Sequence, residues 1–166
     1  MTFHLTFLFA ILFASGLYAQ SYCYEQFIKG NKVGELTVER KERNNELEIQ
    51  VYSAVEFNFK LAEISVEFDA HAHYKNGQLI RSSAKFMKNG DVQDACYTFL
   101  KSGAYIAKIN DERCTLPWTE LSFSSLLLYF KKPESLDSIY AEAYGQKNAV
   151  FRESEDSFRM IVSHNG

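Results

Sequence analysis

Apolar and polar residues alternate most regularly between Ile64 and Lys75. A period of two places successive side chains on opposite faces of an extended chain, so this stretch predicts a β-strand with one buried face. The apolar set is Ile64, Val66, Phe68, Ala70, Ala72 and Tyr74, and the polar set is Ser65, Glu67, Asp69, His71, His73 and Lys75. Weaker patterns predict strands over 22–28, 33–40, 47–59, 78–87, 91–100, 104–114, 138–145 and 149–163. A change of phase near Ser53 predicts a bulge within the third of these strands.

Turn signals recur every 13 residues in the middle of the chain, as Lys75-Asn76-Gly77, Lys88-Asn89-Gly90 and Lys101-Ser102-Gly103. Asn-Gly and Ser-Gly favour tight turns because glycine adopts a positive φ without strain. Strands of about ten residues between such turns predict an up-and-down antiparallel meander. A further turn is predicted at 144–147.

The first of these hairpins can be closed by a loop of two or three residues. A two-residue loop opposes Phe68 to Lys85 and mixes the faces, whereas a three-residue loop opposes Phe68 to Ala84. The sequence therefore predicts loops at 75–77 and 88–90, each a type I turn closed by a left-handed glycine. The same register pairs Glu67 with Lys85 and His71 with Arg81. It buries Phe68, Ala84 and Phe86 and leaves Glu67, His71 and Lys85 outside.

Residues 115–133 interrupt the alternation, and Pro117 and Pro133 bracket them. Helical spacing of the leucines allows a short helix over 119–128, and a buried strand fits nearly as well. We therefore expect an all-β domain over residues 20–166, with eight or nine antiparallel strands. The strands would form a strongly curved sheet or a partly open barrel, with room for one short helix.

The first 19 residues resemble a secretory signal peptide. Phe3 to Ala14 is almost continuously apolar, and small residues precede a cleavage site ahead of Gln20. The n-region lacks Lys and Arg, so a buried helix or an uncleaved anchor is the alternative. Export predicts a periplasmic or extracellular protein. The chain ends on His164-Asn165-Gly166, a hairpin signal with no following strand, which predicts truncation of the domain.

Net charge, hydropathy and cysteine content limit the classes of partner and the disulfides that the chain can have. The net charge is −3 and no basic run exceeds three residues, which disfavours a nucleic-acid partner. No second apolar run reaches spanning length, so no transmembrane segment is expected after signal removal. Three cysteines, Cys23, Cys96 and Cys114, leave at least one thiol unpaired or bridged to another chain. If 104–114 is one strand, Cys114 lies too far from Cys96 for a bridge.

The layout resembles an uncharacterised family of secreted β-rich proteins from Bacteroidota-type bacteria. The segments that carry the resemblance are Tyr24 to Leu36, Tyr74 to Leu79, the Leu-Tyr-Phe-x-x-Pro motif at 128–133, and Tyr140 to Gly145. The resemblance implies an exported, curved antiparallel sheet or half-barrel, and it implies no activity. It also implies one or two strands beyond Gly166.

Asp69, His71 and His73 form the one metal-like spacing, because residues two apart on a strand share a face. Their polar surroundings and the opposing Arg81 favour a solvated face, and His164 is too remote in sequence to be a third ligand. No metal or cofactor is therefore expected.

No catalytic residue is assigned. Ser124 and Ser125 lack a nucleophile-elbow motif, and Cys96 and Cys114 carry no activating neighbour. Glu142 could serve in a carboxylate pair only with a second carboxylate that the sequence does not identify. These observations favour an exported, non-enzymatic protein that binds an apolar or amphipathic ligand or an envelope component. The alternatives are an interaction domain with an exposed edge strand and a small carboxylate-dependent hydrolase.

Overall fold

The structure, a computed structural model, describes residues 18–59, 62–155 and 157–162, and this part of the chain forms two antiparallel sheets. The larger sheet is an eight-stranded meander in sequential order. Its strands are β1 (Tyr18–Ile28), β2 (Asn31–Arg43), β3 (Glu46–Phe59), β4 (Ala62–Lys75), β5 (Gln78–Lys88), β6 (Asp91–Lys101), β7 (Ala104–Ile109) and β8 (Glu112–Thr115). The predicted all-β antiparallel meander is confirmed. Within the described residues the sheet does not close into a barrel, so β1 and β8 are its edges.

The hairpin loops are shorter than the sequence predicts. Lys75 pairs with Gln78, so the loop is Asn76-Gly77 alone, with φ values of 52° and 78°. Two successive positive φ values define a type I′ turn, whose twist matches that of the flanking strands. The loop after Lys88 is likewise two residues, because Lys88 pairs with Asp91. The predicted three-residue loops at 75–77 and 88–90 are therefore wrong.

A β-bulge reconciles the short loop with the two faces. Tyr74 pairs with Leu79 but His73 pairs with Arg81, so Ile80 is an extra residue on β5. The resulting register differs by two residues from the predicted one, and a shift of two keeps every side chain on its face. The observed pairs are Phe68 with Phe86, Glu67 with Met87, Asp69 with Lys85 and His73 with Arg81, in place of the predicted ones.

Three other sequence expectations are corrected. The strand predicted over 104–114 ends at Ile109, since Asn110 and Asp111 form another turn with positive φ, and β8 folds back on β7. The predicted bulge near Ser53 is absent, because β3 pairs with β2 and β4 without a register shift. The predicted turn at 144–147 lies at 142–145, since β10 already begins at Gln146.

The chain after β8 forms a second layer, which we call the cap (residues 116–162). It holds a 3-10 helix (Ser125–Tyr129) and a three-stranded sheet of β9 (Ser138–Ala141), β10 (Gln146–Arg152) and β11 (Phe158–Ile161). The 3-10 helix is shorter than the helix or strand predicted over 119–128. In total the described residues contain eleven strands, more than the eight or nine expected.

The core lies between the larger sheet and the cap. Side chains from alternate positions of β2 to β7 meet apolar side chains of the cap, as the period of two predicts. The most deeply buried members on the sheet are Val38, Ile49, Val51, Ala70, Tyr74, Leu79, Tyr105 and Ala107, and those on the cap are Leu121, Leu126, Ile139 and Tyr140. Ala84 is buried as predicted and Phe68 is half-buried, but Phe86 remains 37% exposed because it lies at the margin of the cap.

The predicted signal peptide and chain end fall largely outside the described residues. Residues 1–17 and 163–166, which include His164-Asn165-Gly166, are not described. Tyr18 and Ala19 begin β1 and pair with Glu42 and Lys41. Within the described ranges, none of the helical segments has the length and hydropathy needed to cross a bilayer.

Candidate ligand cleft between the sheet and the cap

A cleft of about 680 Å³ opens at the margin of the cap, over strands β4 to β7 of the larger sheet. Its apolar lining comes from Phe68, Ala84, Phe86 and Ile109 on the sheet and from Ala143 and Tyr144 on the cap. Its polar lining comes from Lys85, Asp94, Asn110 and Gln146. The cleft thus combines an aromatic floor with a polar rim.

The floor is positioned by the register of β4 and β5. Phe68 and Phe86 are direct cross-strand partners, so both rings project from the cap side of the sheet. The next pair along the two strands, Ala70 with Ala84, is buried beneath the cap. The two phenylalanines therefore mark the point at which the filled core becomes an open cleft.

The upper wall is the turn at 142–145, which approaches the sheet closely. Gly145 has a φ of +63°, and a Cβ atom there would lie 2.8 Å from Ile109 Cδ1 and 3.2 Å from Cys96 Sγ. A larger residue there would force the Ile109 side chain to shift and would strain the backbone at this positive φ. Cys96 is buried under this turn, and burial raises the pKa of its thiol. Cys96 is therefore a packing residue in the cleft wall rather than an activated nucleophile.

The rim is fixed by hydrogen bonds. Asn110 Nδ2 donates to Asp94 Oδ1 at 2.8 Å, and Asn110 Oδ1 accepts from the Ala95 backbone amide at 2.7 Å. The turn that ends β7 is thereby tied to β6, and one carboxylate is held at the cleft entrance. A polar ligand group would meet these groups with little reorganisation.

Glu142 lies in the interior of the protein, between the 3-10 helix and β4. Its carboxyl accepts hydrogen bonds from the hydroxyls of Ser124 and Ser125, and Tyr74 Oη donates to Ser124 Oγ at 2.5 Å. The backbone amide of Leu126 also donates a hydrogen bond to this carboxyl group. Burial raises the pKa of Glu142, and the serine hydroxyls partly offset this effect. Ser124 is fully buried and Glu142 is 1% exposed, so a solute cannot reach either residue in this conformation.

Two further tyrosines make buried hydrogen bonds: Tyr140 joins the cap to β6, and Tyr105 joins β7 to β5 within the larger sheet. Tyr140 Oη lies 2.5 Å from Thr98 Oγ1, and Tyr105 Oη donates to the Leu79 carbonyl at 2.6 Å. The half-buried Trp118 packs edge-on against the Tyr140 ring at 6.3 Å, and Lys147 Nζ lies 5.4 Å from the Trp118 ring centroid. Sequence reasoning missed these contacts because they join residues far apart in the chain.

The histidine pair lies on the opposite face of the sheet, as predicted. Asp69 Oδ1 is 3.0 Å from His71 Nε2, whereas His73 Nε2 is 3.6 Å from Glu46 Oε2. A shallow depression of about 500 Å³ runs over this face, with Glu48, Arg81, Tyr97 and Phe99 beside the histidines. In the described part of the chain, no cluster of three or more His, Cys, Asp or Glu side chains is arranged to hold a metal ion.

The three cysteines are free thiols in the described structure. Cys23 and Cys114 are exposed and Cys96 is buried. Cys114 lies on β8, opposite Ala107 of β7, because the chain folds back after Ile109. The prediction of one straight strand over 104–114, which separated Cys114 from Cys96, is therefore wrong. The two cysteines are nevertheless not bridged.

Comparison with known proteins identifies a family without an assigned activity. No curated protein and no solved structure matches the chain significantly. A family model described as a domain of unknown function matches residues 24–164, which agrees with the predicted uncharacterised family. On this match the chain belongs to the DUF6134 family.

Proposed function

We propose that this chain is an exported, non-enzymatic binding protein that takes an apolar or amphipathic small molecule in the cleft between sheet and cap. The observation that carries the proposal is the 680 Å³ cleft floored by the paired rings of Phe68 and Phe86. Ligand sites of this kind typically measure about 300–1,000 Å³ and combine apolar walls with a few fixed polar groups.

The chemistry of the lining specifies an amphipathic ligand. An apolar portion would cover Phe86, which is 37% exposed. A polar headgroup would lie at the rim, where Asp94 and Asn110 are held in place by hydrogen bonds and Gln146 lines the same opening. Burying apolar surface favours binding, and the rim provides orientation.

The carboxylate hydrolase receives less support from the geometry. Glu142, its proposed acid or base, is buried and bonded to Ser124 and Ser125. A general acid must come within hydrogen-bond distance of the substrate. The position of Glu142 instead supports a structural role within the cap, where it holds the turn after β9 against Ser124 and Ser125.

Export to the periplasm or the extracellular space is the second part of the proposal. It is supported by the apolar run from Phe3 to Ala14 and the small residues before Gln20. Intact mass measurement of protein purified from its own host tests this. A mature chain that begins at Gln20 supports export, and a full-length chain in the cytosolic fraction contradicts it.

Ligand binding is tested with an environment-sensitive fluorescent fatty acid as the probe. We expect wild-type protein to bind it and Phe86→Ser to bind at least about tenfold more weakly, since the apolar floor is lost. Val92→Ser is the matched control, because Val92 is 56% exposed on β6 and does not line the cleft. Equal affinity of the two variants, or no binding by wild type and no co-purified lipid in native mass spectra, contradicts the proposal.

A second candidate function is supported by the free edge of β1. In the described structure this strand pairs on one side only, with β2, and it extends over 11 residues. An exposed edge can accept a partner's strand by backbone hydrogen bonding. The edge would then serve as an interaction surface, independently of the cleft.

A further inference from the structure

The β1 edge lacks the features that normally prevent sheets from pairing edge to edge. Natural edges are protected by Lys, Pro, bulges or short length. β1 contains no Lys, Arg or Pro, and Glu25 is its single charged residue. Tyr22 and Tyr24 are 41% and 45% exposed. The strand is therefore suited to receive another strand.

We propose that the strand received is β1 of a second copy, paired antiparallel about a twofold axis at Cys23, and that a Cys23–Cys23 disulfide locks this dimer. The inference rests on the interaction function of the edge and is independent of ligand binding in the cleft.

The position of the axis follows from register. A twofold axis perpendicular to a sheet must place one residue opposite its own copy, because otherwise paired side chains fall on opposite faces. β1 runs from Tyr18 to Ile28, and the slip in its register with β2 comes from an extra residue on β2, Val33, so β1 itself is continuous. The midpoint of this strand is Cys23.

Every pair in this register is compatible. Gln20 lies opposite the copy's Gln26, Ser21 opposite Glu25 and Tyr22 opposite Tyr24. No like charges meet across the interface, since Glu25 faces a serine and is already paired with Lys32 at 2.9 Å. The absence of like-charge contacts thus permits a second copy, and the low charge of β1 gives no attraction for a strongly charged partner.

The aromatic residues add side-chain contacts to the backbone pairing. On the cap side, Tyr22 packs against Phe130 at a ring-centroid distance of 5.8 Å, and Tyr24 packs against Tyr129 at 6.5 Å. The dimer would place each Tyr22 beside the copy's Tyr24 and join the two clusters. Cross-strand aromatic pairs of this kind stabilise antiparallel sheets.

The geometry of a self-paired residue suits a disulfide. Directly opposed residues on antiparallel strands have Cα atoms about 4.5 or 5.5 Å apart, depending on the type of pair. Both separations fall within the range of about 4.4–6.8 Å found for disulfides. Cys23 is an exposed free thiol, so an oxidant can reach it.

The bond forms by exchange with a low-molecular-weight disulfide such as oxidised glutathione. One Cys23 thiolate attacks the oxidant, which releases one thiol and leaves a mixed disulfide. The second Cys23 thiolate displaces the other thiol, so two protein thiols are oxidised and one external disulfide is reduced to two thiols. Because a single strand from each copy forms the interface, we expect the disulfide to determine whether the dimer persists.

The first test uses the mature chain incubated with oxidised glutathione and analysed by non-reducing electrophoresis. We expect a dimer that disappears on reduction, is lost in Cys23→Ser and is retained in Cys114→Ser. Cys114 is the matched control because it too is exposed on an edge strand. Circular dichroism checks that each variant is folded.

The second test examines register in the Cys23→Ser background. Ser21→Cys together with Glu25→Cys should cross-link, because residue 21 of one copy lies opposite residue 25 of the other. Ser21→Cys alone should not, since the two copies of residue 21 are then four positions apart, about 13 Å at strand rise.

Three outcomes overturn the inference: a monomer that is only glutathionylated at Cys23, a dimer that needs Cys114, or equal cross-linking by the single and double variants. The cleft is assayed separately, on the reduced monomer with the fatty acid probe. Failure of the dimer and failure of ligand binding are therefore distinguishable.

Discussion

At the scale of single residues, Glu142 is the most informative side chain. A buried carboxyl is costly unless it is hydrogen-bonded, and Glu142 has donors from Ser124, Ser125 and the Leu126 amide. These contacts join the turn after β9 to the start of the 3-10 helix. Losing the acceptor would leave several buried donors without a partner.

The raised pKa of Glu142 predicts a pH-dependent stability. Between the ordinary glutamate pKa of about 4.3 and the raised folded-state value, the unfolded chain has released its proton while the folded chain retains it. The stabilisation is therefore complete below pH ~4.3 and is lost as the pH rises through the folded-state pKa. Glu142→Gln removes this titration. We expect the free energy of unfolding of wild type relative to Glu142→Gln to fall with rising pH in urea titrations.

The control for this experiment is Glu134→Gln, which changes an exposed glutamate of the cap. Because Glu142 is unchanged in this variant, its free energy of unfolding relative to Glu142→Gln should also fall with rising pH. A wild-type advantage over Glu142→Gln that grows with pH would show that the hydrogen-bond donors favour the charged carboxylate despite burial.

Sequence reasoning identified Glu142 as a residue of interest but not its role. Its neighbours Ala141 and Ala143 gave no sign of burial, and its partners Ser124 and Ser125 precede it by 18 and 17 residues. The link depends on how the turn after β9 packs against the 3-10 helix within the cap. No local periodicity encodes that arrangement.

At the scale of elements, the strands could be predicted and the register could not. The period of two from Ile64 to Lys75 placed β4 and its faces correctly. The bulge at Ile80 cannot be recognised in the alternation of apolar and polar residues. A two-residue loop followed by one extra residue on β5 leaves the side chains on the same faces as a three-residue loop without a bulge. Both choices preserve the faces, and only the paired residues differ.

Two glycines are expected to respond very differently to alanine. Gly77 has a φ of +78°, and a Cβ atom there would have no neighbour within 4 Å, so Gly77→Ala costs only backbone strain, about 1–2 kcal/mol. At Gly34 a Cβ atom would lie 2.0 Å from the Ala54 carbonyl oxygen, so β2 and β3 must separate. We expect Gly34→Ala to cost at least about 3 kcal/mol in urea denaturation.

Gly103 provides the matched control for the turn. Its φ of +79° and open surroundings closely match those of Gly77, so Gly103→Ala should lose the same 1–2 kcal/mol or so. Similar losses at Gly34 and Gly77 would show that β2 and β3 adjust to the methyl group without losing their pairing.

At the scale of the whole molecule, the open sheet and the cap determine which surfaces remain accessible. Local patterns predicted sequential strands but could not determine whether β1 meets β8, because closure depends on the twist summed over the sheet. The sheet stays open within the described residues, and the cap covers part of one face. The cleft at the margin of the cap and the free edge of β1 both follow from this architecture.

The position of Trp118 gives the cap its own optical signal. Trp118 is the one tryptophan of the chain and packs against Tyr140 beneath Lys147, so indole emission reports on the packing of the cap against the core. Far-ultraviolet circular dichroism instead reports mainly on the strands of the larger sheet. Because Tyr74, Tyr105 and Tyr140 lie in one core shared by both layers, we expect the two signals to change at the same urea concentration. A change in fluorescence at a lower urea concentration would mean that the cap detaches first. Trp118 emission would then report the opening of the cleft.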